Sequence, residues 1–218
     1  MKLIEQSVRL IGLMFPTDDG GVMLPGSNPE QLIEVAGRTC YKSEDKITAD
    51  SHKAFIAMLK KRGHEAMLEH SCAAFRCITD TGITHEIVRH RLASYAQEST
   101  RYVNYSKEAH GSGVIQFLLP LDLTEGQYGI FRRGYEAAEA YYNEAIAAGC
   151  KPEQARDILP KGVKTEIIWT TNFREWRHIR GLRKSKAAHP KMRQLMGMID
   201  ERLTKVAPAT FFDEPAAA

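Results

Sequence analysis

The feature that most constrains this chain is the interleaving of helix-start signals with short β-rich runs. Asn28-Pro29-Glu30-Gln31 supplies an N-cap residue, a proline at the first helical position and a glutamine three residues after the cap. That pattern predicts a helix running to about Tyr41. Asn172 followed by Glu175 repeats the capping pattern late in the chain and predicts another helix. Residues 2–15 and 71–78 are rich in apolar and β-branched side chains and predict strands, while 165–171 predicts a strand or the start of a helix. Further helices are predicted over 48–62, stopped by Gly63, and over 81–94. The longest covers 124–150, where Tyr128, Phe131, Tyr135, Ala138, Tyr142 and Ile146 fall near helical spacing. A short helix over 152–159, closed by Pro160, and a last one over 190–206 complete the reading, with loops at 17–27 and 118–123. Strands and helices do not alternate regularly. The predicted class is therefore α+β, a mixed or antiparallel sheet flanked by helices, in a single domain spanning residues 1–218.

A chain of 218 residues can bury a full core without disulfide staples. Its four cysteines, Cys40, Cys72, Cys77 and Cys150, form no C-x-x-C pair, which argues against a structural zinc or dithiol site. A reducing cytoplasm is the expected compartment. No apolar run approaches the ~18 residues of a membrane helix, and the N-terminal stretch lacks the features of a signal peptide. Net charge is only +3, but it is uneven: residues 1–150 carry −3, residues 151–205 carry +8, and the tail carries −2. A basic segment fits either a polyanionic partner or a solvated helix face.

The densest polar stretch is 86–102, with Arg89-His90-Arg91 followed by Gln97, Glu98, Ser99, Thr100 and Arg101. On a continued helix the three consecutive residues 89–91 could not share one surface, and Glu86 would sit one turn before Arg89 and His90. Hydroxyls, an amide and guanidinium groups this close together suit a phosphate and a base edge. Spacing alone does not separate this from an exposed helix followed by a polar loop.

Arg89-His90-Arg91, seven further residues and then Ser99 resemble the R-H-R-(x7)-S signature of the flavin-dependent thymidylate synthases. The resemblance extends to Ser94, Arg101 and Tyr102, to Gly63-His64-Glu65 with Glu69-His70, to Ala155-Arg156 before Leu159-Pro160, and to Thr171-Asn172 through Arg183. It implies methylation of deoxyuridine monophosphate (dUMP) to thymidylate, with 5,10-methylenetetrahydrofolate as carbon donor and FAD, recharged by NADPH, as hydride source. It implies FAD contacts for His64, Arg89, His90, Arg91, Gln97, Asn172, Arg174 and His178. For dUMP it implies Glu86, Arg89, Gln97, Glu98, Ser99, Thr100, Arg101 and Arg183, with Arg156 from another subunit of a homotetramer. Arg183 is the implied catalytic residue, stabilising negative charge as it develops on the uracil ring. Neither a metal nor a nucleic acid is implied.

The chain departs from that pattern in two places. Many relatives have Asn-Glu where this chain has Ala96-Gln97, so its carboxylate stands at Glu98. Some carry a histidine where this chain has Ala187. Arg177, Arg180 and Lys184 are expected on a solvated helix face. No cysteine sits in a nucleophile's context, and no histidine lies within five residues of Ser99, so Ser99 is expected to bind rather than attack. A metal hydrolase is excluded by spacing. His64 and His70 are six apart, about 240° around a helix, and cannot chelate one zinc from one face. The remaining alternative is a basic nucleic-acid-binding module without catalysis, for which residues 151–205 offer charge but no groove-reading motif.

Overall fold

The computed structural model describes residues 1–24, 26–101, 105 and 114–212. Among them the strands are β1 (Lys2–Leu3), β2 (Ser7–Leu13), β3 (Cys72–Asp80), β4 (Ser94–Gln97), β5 (Gln116–Phe117) and β6 (Lys164–Asn172). The α-helices are α1 (Pro29–Thr39), α2 (Ser51–Arg62), α3 (Thr81–Ile87), α4 (Glu125–Ala147), α5 (Pro152–Ala155), α6 (Phe173–Arg183), α7 (Pro190–Val206) and α8 (Pro208–Phe211). Four strands form an antiparallel sheet in the order β2-β3-β6-β4, flanked by helices, as the α+β expectation required. β1 pairs in parallel with β5, Lys2 opposite Gln116. In β3 and β6 every second residue is buried, which is the period a half-buried strand demands. That alternation makes 164–172 a strand, and Asn172 begins the next helix.

The chain divides into two compact units. Unit 1 comprises Met1–Ser7, Arg76–Arg91 and Tyr95–Ile168. Its core gathers Tyr105, Ile115, Phe117, Tyr135, Tyr142 and Val163. Phe117 and Tyr135 stack with centroids 4.6 Å apart, and Tyr105 meets Tyr142 edge-on at 6.1 Å. Of the helical aromatic series on α4, only Tyr135 and Tyr142 are buried; Tyr128 and Phe131 remain exposed. Thr124 and Gln127 cap α4 reciprocally, a box the sequence reading did not single out.

Unit 2 comprises Val8–Phe75, Leu92–Ser94 and Trp169–Ala218. Asn28 and Gln31 form the predicted capping box on α1. Gly63 ends α2 in the left-handed region at φ 68°, where a side chain would be strained. Gly37 on α1 has a different reason to be glycine: a Cβ there would come within 2.5 Å of the Phe55 ring on α2. Trp176 packs against Phe75 and Trp169, with centroids 5.2 and 4.7 Å away, and donates its indole N–H to the Ala73 carbonyl at 3.2 Å. The buried Glu30 carboxylate on α1 accepts from the Thr210 N–H at 2.6 Å and the Thr210 hydroxyl at 2.8 Å, docking α8.

The helix predicted over 81–94 is corrected to α3, which stops at Ile87. Past it, Arg89 N–H reaches the Glu86 carbonyl and His90 N–H the Ile87 carbonyl, so 89–91 follow tight turns. The Tyr95 hydroxyl lies 2.9 Å from the Ile87 carbonyl and 2.5 Å from that of His90, giving these C-terminal carbonyls a donor. Residues 94–97 are thereby released to form β4. The solvated helix face is corrected too. Arg177 donates to the Thr210 carbonyl at 2.7 Å, and Arg180 and Lys184 both pair with Asp200 of α7.

Candidate active site

Two constellations carry most of the sequence-predicted residues, one in each unit; His64 and Arg183 fall outside them. In unit 1 the turn after α3 buries His90 and leaves Arg89 and Arg91 exposed, so neighbours in sequence serve different surroundings. Glu86 is half-buried at the last turn of α3. β4 then carries Gln97, whose amide nitrogen lies 3.1 Å from both the Thr84 and the Thr165 hydroxyl oxygens. The Thr84 hydroxyl gives its own proton to the Thr81 carbonyl, so it can only accept from Gln97. That fixes the orientation of the Gln97 amide and leaves its carbonyl oxygen for a ligand.

Glu98 follows, with its N–H on the Glu166 carbonyl at 2.8 Å. Its carboxylate receives Lys164 Nζ at 2.7 Å and the Tyr105 hydroxyl at 3.3 Å. Burial, then the Glu98 charge, push the Tyr105 hydroxyl well above the ordinary tyrosine pKa of 10.0, so it stays a donor. Ser99 Oγ accepts from the Arg101 N–H at 3.3 Å, and Arg156 Nη1 stands 3.4 Å from Thr100 Oγ1. Arg101 pairs with Glu153 at 3.1 Å through side chains 57% and 38% exposed. The turn 99–101 thus presents two hydroxyls and the Arg101 guanidinium, with the Arg156 guanidinium reaching it from residues 156–158. Here Arg156 of the same chain lies beside Thr100. Tyr102 falls outside the described residues.

In unit 2, Asn172, Arg174 and His178 line one cavity of about 830 Å³, with Glu65, Glu69 and Leu92. The first turn of α6 places Asn172 and Arg174 there, and His178 follows one helical turn later. The Asn172 side-chain carbonyl caps the helix by accepting from Glu175 N–H at 2.8 Å, so its NH₂ is the group left for a ligand. Arg174 is held by Glu69 at 2.5 Å, and that hydrogen bond raises its already high pKa. His64 is not brought to this cavity. It is exposed and borders a second, more apolar one of about 440 Å³ with Phe55, Met58 and Met67. Arg183 is half-buried at the end of α6 and lies outside the lining of both.

Sequence reasoning missed Lys164, Tyr105, Thr84 and Thr165 in unit 1 and Leu92 in unit 2, and it gave Glu69 no site role although the motif included it. Several of the partners lie far away in sequence: 66 residues separate Lys164 from Glu98, 68 separate Thr165 from Gln97 and 105 separate Arg174 from Glu69. Tyr105 is only 7 residues from Glu98 and Thr84 only 13 from Gln97, but neither belongs to a motif that marks it.

Comparison with known proteins agrees with the motif. The sequence model of the family described as "Thymidylate synthase complementing protein" matches residues 23–209. A flavin-dependent thymidylate synthase of Geobacter sulfurreducens is 32% identical over 195 residues, covering 85% of this chain and 82% of the relative. One from Corynebacterium efficiens is 30% identical over 233 residues, covering 96% and 90%. One from Pyrococcus abyssi is 32% identical over 167 residues, covering 75% and 67%. With the signature at 89–99, a match over most of its length and relatives of this one kind, the chain belongs to the thymidylate synthase complementing protein family, that of the flavin-dependent thymidylate synthases.

Proposed function

We propose that this chain is one flavin-dependent thymidylate synthase domain spanning residues 1–218, which methylates dUMP reductively at uracil C5. Methylenetetrahydrofolate is the carbon donor, and NADPH is the source of reducing equivalents. The observation that carries the reading is the exposed turn of unit 1, where Ser99, Thr100, Arg101 and Arg156 offer hydroxyls and bidentate cations together. That donor set matches a phosphate monoester. β3 and β6 each contribute residues to both units, which supports a single domain.

The α6 cavity of unit 2 fits a flavin. Its volume lies within the ~300–1,000 Å³ typical of small-molecule sites, and its lining offers an amide, an imidazole and two guanidinium groups alongside the carboxylates of Glu65, Glu69 and Glu175, the first two of which pair with those guanidinium groups. Asn172, Arg174 and His178 would hold FAD there, with Arg89, His90, Arg91, Gln97 and His64 assigned to it by the resemblance. FAD, when bound and reduced, supplies the hydride. The chain's own residues bind and orient: Ser99 and Arg101 take the nucleotide phosphate, with Glu86, Arg89, Gln97 and Thr100 around it. Arg183 stabilises negative charge developing on the uracil ring and so strengthens C5 as a nucleophile. Ser99 acts as a ligand and not as an attacking group.

The assembly is proposed as a homotetramer with shared sites. Exposed Tyr128, Ile130, Phe131 and Tyr141 on α4 offer an apolar surface for it, and light scattering tests it. A cytoplasmic setting is supported by four cysteines that form no disulfide. No described helix is long and apolar enough to cross a membrane.

The test is tritium release from 5-tritiated dUMP, with and without NADPH, FAD and methylenetetrahydrofolate. Release that requires all three is expected; release indifferent to them overturns the mechanism. Ser99→Ala should weaken dUMP binding while retaining measurable turnover at saturation. Complete loss of turnover with intact dUMP binding would reassign Ser99 as a nucleophile.

A further inference from the structure

Glu98 stands between the last residue of β4 and the turn 99–101, and both of its carboxylate oxygens are taken up by the protein. Oε2 meets Lys164 Nζ at 2.7 Å, and Oε1 accepts from the Tyr105 hydroxyl at 3.3 Å. The Glu98 and Lys164 side chains are 15% and 18% exposed, far less than the Arg101/Glu153 pair next to them at 57% and 38%. An ion pair this shielded holds its geometry, whereas an exposed one is screened. Lys164 is on β6, two residues before Glu166, whose carbonyl takes the Glu98 N–H. Tyr105 is rooted in the unit 1 core, with its N–H on the Tyr142 hydroxyl at 3.4 Å. Glu98 is therefore tied to β6 through backbone and side chain, and to the core through Tyr105. Ser99 follows Glu98 directly, and Arg101 comes two residues later, at the end of the turn.

Charge points the same way. A carboxylate next to a phosphate site repels a dianion, and Lys164 cancels that charge where it arises.

We propose that Lys164 and Tyr105 are positioning residues for the nucleotide phosphate: they clamp and neutralise Glu98, and so hold the turn 99–101 ready for the anion. This rests on the nucleotide reading above, and it moves Glu98 from substrate ligand to internal anchor.

Calorimetric titration of the purified holoenzyme with dUMP and with deoxyuridine tests it, together with KM and kcat for dUMP. Lys164→Met should weaken dUMP binding and raise KM about tenfold, as expected when one member of a shielded pair is removed. It should leave kcat within about twofold and deoxyuridine binding unchanged, because deoxyuridine has no phosphate to lose. Lys164→Arg should restore most of the affinity, and Glu98→Gln placed in the Lys164→Met background should recover part of it by removing the uncovered charge. Tyr105→Phe, which deletes only a hydroxyl, should weaken dUMP about threefold and serves where Lys164→Met does not fold.

Unchanged dUMP affinity in both Lys164→Met and Tyr105→Phe overturns the clamp. So does an equal loss for dUMP and deoxyuridine, which would mark a general structural defect. A wild-type holoenzyme that binds neither compound defeats the nucleotide reading itself, and the clamp with it.

Discussion

Aromatic side chains divide this molecule unevenly. Seven of its eight tyrosines fall in the residue ranges of unit 1, and both tryptophans fall in unit 2. The unit 1 core is consequently wired through phenol groups: Tyr135 donates to the Leu118 carbonyl at 3.2 Å, Tyr105 to Glu98, and Tyr142 accepts from the Tyr105 backbone. The unit 2 core rests instead on the shape fit of Trp169, Trp176, Phe75, Phe173 and Phe211. One core depends on rings that can lose a proton, and the other depends on rings that cannot. The same contrast reaches the ligand sites. On α6, Arg180 pairs with Asp200 through side chains only 16% and 12% exposed, whereas the Arg101–Glu153 pair is 57% and 38% exposed.

The sharpest way to expose this contrast is truncation at Trp176. Trp176→Ala should destabilise the protein by about 3–5 kcal/mol, measured by denaturant unfolding, because it opens a cavity and removes the indole hydrogen bond to the Ala73 carbonyl. A loss below about 1 kcal/mol would show that unit 2 does not depend on shape fit. Asp200→Ala comes next, at about 2–3 kcal/mol, because it strips Arg180 and Lys184 of their shared partner while Arg180 is only 16% exposed.

Alkali should act on the other unit. Tyr105, Tyr135 and Tyr142 all have their pKa raised above 10.0, chiefly by burial, so the folded state keeps protons that the unfolded state releases. Their stabilising contribution is complete below pH 10 and falls as pH rises towards the folded values, at about 1.4 kcal/mol per pH unit for one withheld proton. Tyrosine absorbance against pH should therefore rise cooperatively with loss of structure rather than gradually. Tryptophan fluorescence changing in step would show that the two units unfold together; a lag would show that they do not. The smallest effect is expected at Arg101. Arg101→Ala should cost under about 1 kcal/mol of stability, because its pair with Glu153 is solvated, while raising the KM for dUMP. A large loss of stability would place Arg101 among the structural cations instead.

What the sequence disclosed follows from the range of the forces involved. The capping box at Asn28, the stop at Gly63 and the α7 limits of 190–206 depend on residues a few positions apart, and they were readable. The end of α3 was not. Nothing near Ile87 breaks a helix, and the carbonyls there are satisfied by Tyr95, eight residues on, within a chain turning to join β6. The signature from Arg89 to Ser99 disclosed the family, but not that His90 is buried between two exposed arginines. Arg180 and Lys184 looked solvated because Asp200, which pairs with both, belongs to another helix.

Glu30 has a consequence for how the chain is made. It is 1% exposed, and Thr210, which donates to it twice, comes 180 residues later. At ribosomal speeds of about 5–20 residues per second, the acid emerges roughly 10–40 s before its partner exists. During that interval the nascent helix must keep the carboxylate in water. The surface that will later enclose it closes only once Thr210 has emerged, so a chain stalled before Thr210 leaves a hydrated acid in the place of a seam.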